Sequence, residues 1–587
     1  MQRRNFCKLA LAATASAVAK PRPTFASTPP APRDFVLDMV HFNPGEPAPH
    51  TRFLDPTYLK QMGYTGQVLF SNIEGVPTFS TLFPNLLDET ARTWATQAAA
   101  VIEKKISAAR AANLPAYAWM QLTVFPKALV ARERAGICNA KGQIDVELPR
   151  TQQLIAAQLD EIFARFPQLD GLVIRTGEVY MQDLPHHASS GNTAGTELIQ
   201  ESTSILNGPA SHIALLRVLR ERACLRGKRI FYRTWDFGPH FHNNPDYYLR
   251  VTDAIEPHPN LIFSIKHQQG DFHQLTPFNP TLTLGRHRQI VEVQCQREAY
   301  GKGAHPYYIG QGVITGWEDM AWVNPAGRPK GLADIIANPL IAGVWTWSRG
   351  GGWQGPFIKN EFWCALNAAV VSHYAENPTR SEPALLNAFA RQSGLPAAQL
   401  AAFRELNLLS AKGVLRGQLT ALRVPVATTS NAPFDVWWTR DDKIGVPNLT
   451  DFLRLHLIDA SIAEKREAVA IWQRIEAISQ TLTFADSDTT AFVRSSCTYG
   501  RMKYAIIAAG WTAYALGLQG KADGSYNRPA IQAAIADWDK LWAEWKHIAA
   551  TDPWCSTLYK PQAFDVHFQY RPGLGAAVDA LRPIAAS

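Results

Sequence analysis

The chain has 587 residues, too many for one ordinary core and enough for a large domain with a companion. Hydrophobic residues make up 46% and charged residues 18%, a balance that excludes disorder and a charged nucleic-acid arm. The formal net charge of +8 is scattered without a basic block, so no nucleic-acid partner is implied, while mild attraction to an acidic polymer is allowed.

The chain opens on "MQRRNFCKLALAATASAVA", in which Arg3 and Arg4 precede an Ala-rich apolar run ending in Ala-Val-Ala. Small residues there suit cleavage, and the pattern resembles a bacterial twin-arginine export signal. With the Pro-rich linker that follows it, this signal fills residues 1–30. The mature protein is therefore expected in the periplasm or outside the cell. No later run has the length and apolarity of a membrane helix, so no membrane partner is expected. None of the seven Cys falls in a pair spaced for zinc or iron–sulfur ligation, so neither metal nor cofactor is expected. Export permits disulfides without specifying a pairing.

Eight short apolar runs follow: "FVLDMV" (35–40), "QVLF" (67–70), "AYAWMQL" (116–122), "GLVIR" (171–175), "RIFYR" (229–233), "LIFSIK" (261–266), "IVEVQC" (290–295) and "IAGVWTW" (341–347). Between them lie stretches such as "PRTQQLIAAQLDEIFARF", apolar at intervals of three and four, as a helix that buries one face requires. This alternation predicts an α/β fold, a (β/α)8 TIM barrel, over residues 31–378. A doubly wound sheet is the alternative, disfavoured because no Gly-rich phosphate fingerprint follows the first strand. From 379 to 587 the β pattern stops and helical periods take over, which predicts an all-helical C-terminal domain with a surface for homodimer formation.

In such a barrel the carboxyl ends of the strands meet at one face, and polar groups that just outlast a strand point into a common pocket. Arg175, Arg233 and Lys266 end the fourth, fifth and sixth runs, and Arg349 follows the eighth. Carboxylates come a few residues later: Glu178 in "RTGEVY", Asp236 in "RTWDFG", Asp271 in "KHQQGDFH" and Glu298 in "QCQREAYG". A pocket so lined suits an anionic substrate and acid–base chemistry. Asp236 reads as a cap or a support for the arginine, and Glu292, inside a strand, as a structural ion-pair partner. His240 and His242 are close enough to ligate a metal but better suited to binding hydroxyls or water. His186 and His187 read as an exposed loop pair. Trp347 and Trp353, flanking "SRGGG", are candidates for a sugar-stacking wall; Trp345 is as well suited to filling the core.

At these residues the chain resembles the α-glucuronidases of glycoside hydrolase family 67, over roughly residues 165–310. "IKHQQGDFHQLTP" is similar to that family's Ile-Lys-to-Asp-Phe-Gln loop, "VEVQCQREAYGKG" to its Glu-Phe-Gln-to-Gln-Glu-Tyr segment, "DGLVIRTGEVY" to its acid-bearing strand and "FYRTWD" to its arginine-ended fifth strand. The resemblance implies Glu178 as general acid and Asp271 and Glu298 as the carboxylates that activate water. It also implies that Arg175, in place of the family's lysine, joins Arg233 and Lys266 in holding a uronate carboxylate. The chain departs from the family elsewhere too: the acid loop is one residue shorter, and Glu298 is followed by Ala-Tyr rather than directly by Tyr. There is no room for an N-terminal β-sandwich, about twenty extra residues (186–208) follow the acid loop, and "WTWSRGGGWQGP" has no counterpart.

The expected activity is release of glucuronic acid or its 4-O-methyl ether from xylan-derived oligosaccharides, by inversion and without metal. Inversion needs a protonated and an ionised carboxyl about 6.5–9.5 Å apart. The alternatives are a glycosidase for another uronic acid or a neutral sugar, a polysaccharide lyase, and a catalytically silent glycan-binding protein.

Overall fold

The computed structural model describes residues 33–586, apart from 42–49, 178, 182, 191–199, 202–205, 207, 237–240, 271, 273, 296–302, 351–356, 423–438, 441–442, 559–562 and 566–570. The eight apolar runs are eight parallel strands: β1 (Phe35–His41), β2 (Gly66–Leu69), β3 (Ala116–Gln121), β4 (Gly171–Arg175), β5 (Arg229–Arg233), β6 (Leu261–Lys266), β7 (Arg288–Gln294) and β8 (Ile341–Gly350). They close into a barrel in the order β1-β8-β7-β6-β5-β4-β3-β2.

Both faces of these strands are buried, which is why they read as nearly continuous apolar runs. Leu37, Trp119, Val173, Phe231, Ile290 and Trp345 fill the interior, while their neighbours Val36, Ala118, Leu172, Ile230, Val291 and Val344 face the surrounding helices. Gly171 sits where β4 crosses β5 so closely that a Cβ would collide with the Arg229 carbonyl, so only glycine fits. The register between β1 and β8 shifts after Met39, skipping Ser348 and pairing Val40 with Arg349.

The helices around the barrel are α1 (Pro56–Gln61), α2 (Glu89–Ala111), α3 (Lys127–Ile137), α4 (Pro149–Arg165), α5 (Pro209–Arg222), α6 (Pro245–Thr252), α7 (Gly310–Thr315), α8 (Leu332–Ile335) and α9 (Phe362–Glu376). α2 starts where Asp88 accepts the Ala91 N–H, the side-chain cap an N-terminus needs. No helix lies between β6 and β7 among the described residues. Turns and an isolated bridge, Gln268 to Phe278, take its place.

The C-terminal region comprises α10 (Glu382–Gln392), α11 (Leu400–Gln418), α12 (Thr450–Arg454), α13 (Ile458–Thr481), α14 (Ser487–Asp523), α15 (Arg528–Thr551) and α16 (Leu574–Ala586). The all-helical expectation needs one correction. Two small antiparallel pairs, Thr439–Arg440 with Lys443–Ile444 and Ala563–Asp565 with Arg571–Pro572, interrupt the helices.

One continuous core joins these helices to the barrel's outer face. Two barrel loops lean on them directly. After β6, Gln274 Nε2 donates to the Ala411 carbonyl at 3.0 Å and Leu275 packs with Leu415 and Leu419 of the α11 end. After β7, the Tyr308 N–H donates to Ser410 Oγ at 3.0 Å, its hydroxyl donates to Glu382, and the His305 ring meets Trp472 and Tyr504.

Candidate active site

Arg175, Arg233 and Lys266 end β4, β5 and β6, and all three are 1% exposed. What makes such burial tolerable is a layer of aromatic rings at this end of the barrel, whose faces attract cations. The Arg233 guanidinium carbon lies 4.9 Å from the Trp119 ring centre, 5.6 Å from Trp345 and 5.0 Å from Trp347. That of Arg175 is 5.4 Å from Trp119 and 3.8 Å from Tyr180. Lys266 Nζ stands 3.3 Å above Trp235, 4.8 Å from Phe272 and 6.0 Å from Trp347. Trp119 and Trp347 are thus each shared by two cations, which makes the three one cluster. The other side of Trp347 carries His41, the last residue of β1, stacked at 5.1 Å and 13°. The buried indole N–H groups of Trp119, Trp345 and Trp347 have no hydrogen-bond partner among the described residues, leaving donors for a ligand's oxygens.

The three cations are not equivalent. Arg233 Nε and Nη2 each donate to one oxygen of Glu292, both at 2.8 Å, and Ser264 Oγ adds a third bond to that carboxylate at 2.8 Å. This is a buried fork-to-fork ion pair, so Glu292 is the structural partner its place inside a strand suggested. The fork of Arg233 that was expected to hold a substrate carboxylate is thereby committed. Arg349 requires a correction. The bulge at Ser348 pairs it with Val40, whose side chain belongs to the outer core. Its Nε lies 2.9 Å from Glu361 Oε1, and Arg52 reaches the other oxygen of Glu361 at 3.6 Å. It joins the start of α9 and not the cluster. Trp345 fills the barrel interior and Trp347 roofs it beneath the cations.

Glu178, Asp271, Glu298 and Trp353 lie outside the described residues, as does His240. The chain on either side of the three carboxylates is described, and in each case a buried side-chain amide pins it. Gln121, ending β3, donates to the Tyr180 carbonyl at 2.9 Å and accepts the Tyr180 N–H. Gly177 packs so tightly on the Trp235 backbone that a Cβ would collide with it. Around Asp271, Gln268 Nε2 donates to the Thr276 carbonyl at 3.0 Å, and the Asn279 N–H to the His267 carbonyl at 2.9 Å. Around Glu298, Asn367 of α9 donates to the carbonyls of Cys295 and Tyr307 at 2.8 and 2.9 Å and accepts the Ile309 N–H at 3.1 Å.

The histidines differ from expectation. His242 is consumed by protein: its ring nitrogens face Thr234 Oγ1 at 3.0 Å, the Gln268 carbonyl at 3.1 Å and the Asn279 amide at 3.2 Å. It ties the β5 loop to the β6 loop. His187 is buried, not exposed, because residues 187–188 pair with 125–126, and burial pushes its imidazole down to about 3. Asp236 does not cap α6, whose N-cap is Asn244; its Oδ2 accepts the Phe241 N–H at 3.0 Å within the loop. Among the described residues no group of three His, Cys, Asp or Glu is arranged to hold a metal, and no disulfide joins two described cysteines.

Sequence reasoning passed over Glu74. It stands five residues past the end of β2, the same strand-then-carboxylate pattern that singled out Glu178. It is fully buried, and burial pushes its carboxyl up to about 7. Asp38, on the outer side of β1, is pushed to about 7 for the same reason, against hydrogen bonds from Thr346 and Ser348. A carboxyl whose pKa is raised by folding stabilises the fold fully below its unfolded value and loses that contribution as pH rises through the folded value. Between about pH 4 and 7 the loss is on the order of 3 kcal/mol for each group. His187, with its lowered pKa, opposes this below about pH 6.5, so the comparison of variants isolates the effect. The melting temperature of Asp38→Asn, measured across that range, should decline less with rising pH than that of the wild type. Parallel curves would contradict the assignment.

Among solved structures the chain is similar to a GH138 enzyme targeting pectin rhamnogalacturonan II, with a TM-score of 0.54 and 10% identity over 95% of this chain and 68% of that one. It is also similar to an O-GlcNAc hydrolase mutant from Thermobaculum terrenum, with a TM-score of 0.37 and 9% identity over 94% of each chain. No family model matches the chain, and no curated protein matches it. The first of these likenesses is one of fold, and it agrees with a barrel followed by a helical domain.

Proposed function

We propose that the protein is a glycoside hydrolase that removes glucuronic acid or its 4-O-methyl ether from xylan-derived oligosaccharides by inversion. The observation that carries this reading is the cluster of Arg175, Arg233 and Lys266 over the Trp119 and Trp347 rings, at the barrel face where such enzymes assemble their sites. Rings offer sugar faces a platform, indole N–H groups donate to ring and hydroxyl oxygens, and cations select a carboxylate. The Arg233 fork is taken up by Glu292, and we assign recognition of the uronate to Lys266 and Arg175, which stand over the same layer of rings. Glu178 protonates the leaving oxygen, and Asp271 and Glu298 activate and orient the attacking water. The fold shared with a GH138 enzyme is compatible with this chemistry, and that enzyme's target, pectin rhamnogalacturonan II, adds a pectic fragment to the substrates worth testing.

Lys266→Met tests the reading. Losing a cation opposite a desolvated carboxylate costs at least about 2 kcal/mol, so kcat/KM on a glucuronoside should fall about thirtyfold or more. Turnover of the matching glucoside should change by less than about threefold, since the glucoside lacks the carboxylate. Equal losses on both substrates would remove Lys266 from substrate recognition.

Export by the twin-arginine route, to the periplasm or beyond, belongs to the same proposal, its support being the paired arginines of "RRNF". Changing Arg3 and Arg4 together to Lys should leave folded precursor in the cytoplasm; normal export of that double variant would assign the leader to another route.

A further inference from the structure

Glu74 lies in the single turn Ile73–Gly75 that follows β2, at the same end of the barrel as the cation cluster. Its backbone is held from below: Gln158 of α4 donates to the Glu74 carbonyl at 3.0 Å and to that of Val124 at 2.9 Å. Its carboxyl Oε1 accepts Gln121 Nε2 at 2.7 Å, while Oε2, completely buried, has no hydrogen-bond partner among the described residues. Arg175 is the cation whose charge acts on it.

The geometry makes Gln121 a relay. One side-chain amide serves three bonds: Nε2 to Glu74 and to the Tyr180 carbonyl, and Oε1 from the Tyr180 N–H. Turning that amide over would break all three. The carboxyl oxygen opposite Nε2 accepts in both protonation states, with the proton on Oε2 when the group is neutral, so it favours one orientation, whereas an apolar neighbour favours none. Tyr180 in turn carries the Arg175 guanidinium on its ring, and Gly177 is wedged on the Trp235 backbone.

We propose that Glu74 is a positioning residue of the site: by fixing Gln121 it fixes the Tyr180 backbone and, through the Tyr180 ring, the guanidinium of Arg175. The proposal rests on the reading that substrate is processed at this face of the barrel. It carries a pH signature. Burial brings the Glu74 carboxyl to about 7, and ionisation places a buried negative charge near Arg175, offsetting part of the attraction for an anionic ligand. Of the groups around this turn, Gln121 and Gln158 do not titrate, and His187, near Gly75, is held uncharged by burial, with His186 and Lys127 acting on it, while Lys105 and Glu161 bond the chain on either side, at the Phe70 carbonyl and at Thr78 and Phe79.

The full-length protein with Glu74→Gln and with Glu74→Ala tests this by two independent readouts. The first, amide hydrogen exchange in peptides covering Gly171–Met181, needs no substrate. Glu74→Ala should raise exchange there about tenfold or more, and Glu74→Gln, which keeps an acceptor, should stay within about threefold of the wild type. The second is KM on a 4-O-methylglucuronosyl xylooligosaccharide from about pH 6 to 8.5. It should rise at least about threefold in the wild type and by less in Glu74→Gln, with kcat following the same pH profile in both. Exchange unchanged in Glu74→Ala, or raised equally in both variants, would overturn the positioning role, and so would identical KM profiles. Should Glu74→Ala not fold, Gln121→Leu replaces it in the exchange arm with the same expectation. A wild type that cleaves no uronoside would remove the functional reading, while the exchange arm would still decide the role of Glu74.

Discussion

Arg233→Met is expected to cost about 3–5 kcal/mol of stability, because it strands the Glu292 carboxylate in the barrel interior with, among the described residues, only Ser264 to bond it. The cost is of this size because a buried charge that loses its counter-ion keeps its whole desolvation penalty. Replacing both partners removes that penalty, so Arg233→Met combined with Glu292→Leu should recover most of the loss. Urea unfolding midpoints decide the matter. A single variant as stable as the wild type, or a double variant no better than the single, would contradict the account. The same logic separates Arg233 from Lys266. Loss of Arg233 should depress uronoside and glucoside turnover alike, because the damage is to the barrel wall, whereas loss of Lys266 should be selective for the uronoside.

The carboxylates should show the opposite pattern, with large effects on rate and small effects on folding. Asp271→Asn and Glu298→Gln are each expected to lower kcat at least about a hundredfold, the usual contribution of a positioned general base. Melting temperatures should stay near that of the wild type, since Gln268, Asn279 and Asn367 bond the chain on either side of these residues. Glu178→Gln should be rescued selectively by substrates with activated leaving groups, which need no proton from the enzyme. Near-wild-type turnover in Asp271→Asn would end its assignment as a base.

The barrel was legible because burial on both faces leaves a strong mark. "GLVIR", "RIFYR" and "LIFSIK" coincide with β4, β5 and β6, and a run of five or six apolar residues flanked by helical periods has few other solutions. Features set by one residue or by distant partners were not legible. Arg349 follows an apolar strand just as Lys266 does, yet a single bulged residue, Ser348, sends it to the outer face, and a bulge has no sequence signature here. The role of Glu292 was readable from its place inside a strand, but its partner, Arg233, lies 59 residues away, and only the closed barrel brings the two forks together. His187 looked exposed because neither the pairing of residues 187–188 with 125–126 nor its contact with Trp94 is local. The short strands near Thr439 and Ala563 pair over two or three residues, too few for alternation to show. Glu74 was within reach. The rule that found Glu178 also finds a carboxylate shortly after "QVLF", and only its embedding in "SNIEGVP", which has the composition of a turn, hid it.

The central claim, a uronoside-specific inverting hydrolase, is tested most directly by presenting the full-length protein with 4-O-methylglucuronosyl xylooligosaccharides, a rhamnogalacturonan II fragment and neutral glycosides of matching linkage, and following the products by NMR. The account expects a free uronic acid from the xylan-derived substrate, appearing first as the β-anomer before mutarotation, with the neutral glycosides turned over far more slowly. Turnover of the neutral sugars alone, first appearance of the α-anomer, an unsaturated product absorbing in the ultraviolet, or binding without any cleavage would contradict it.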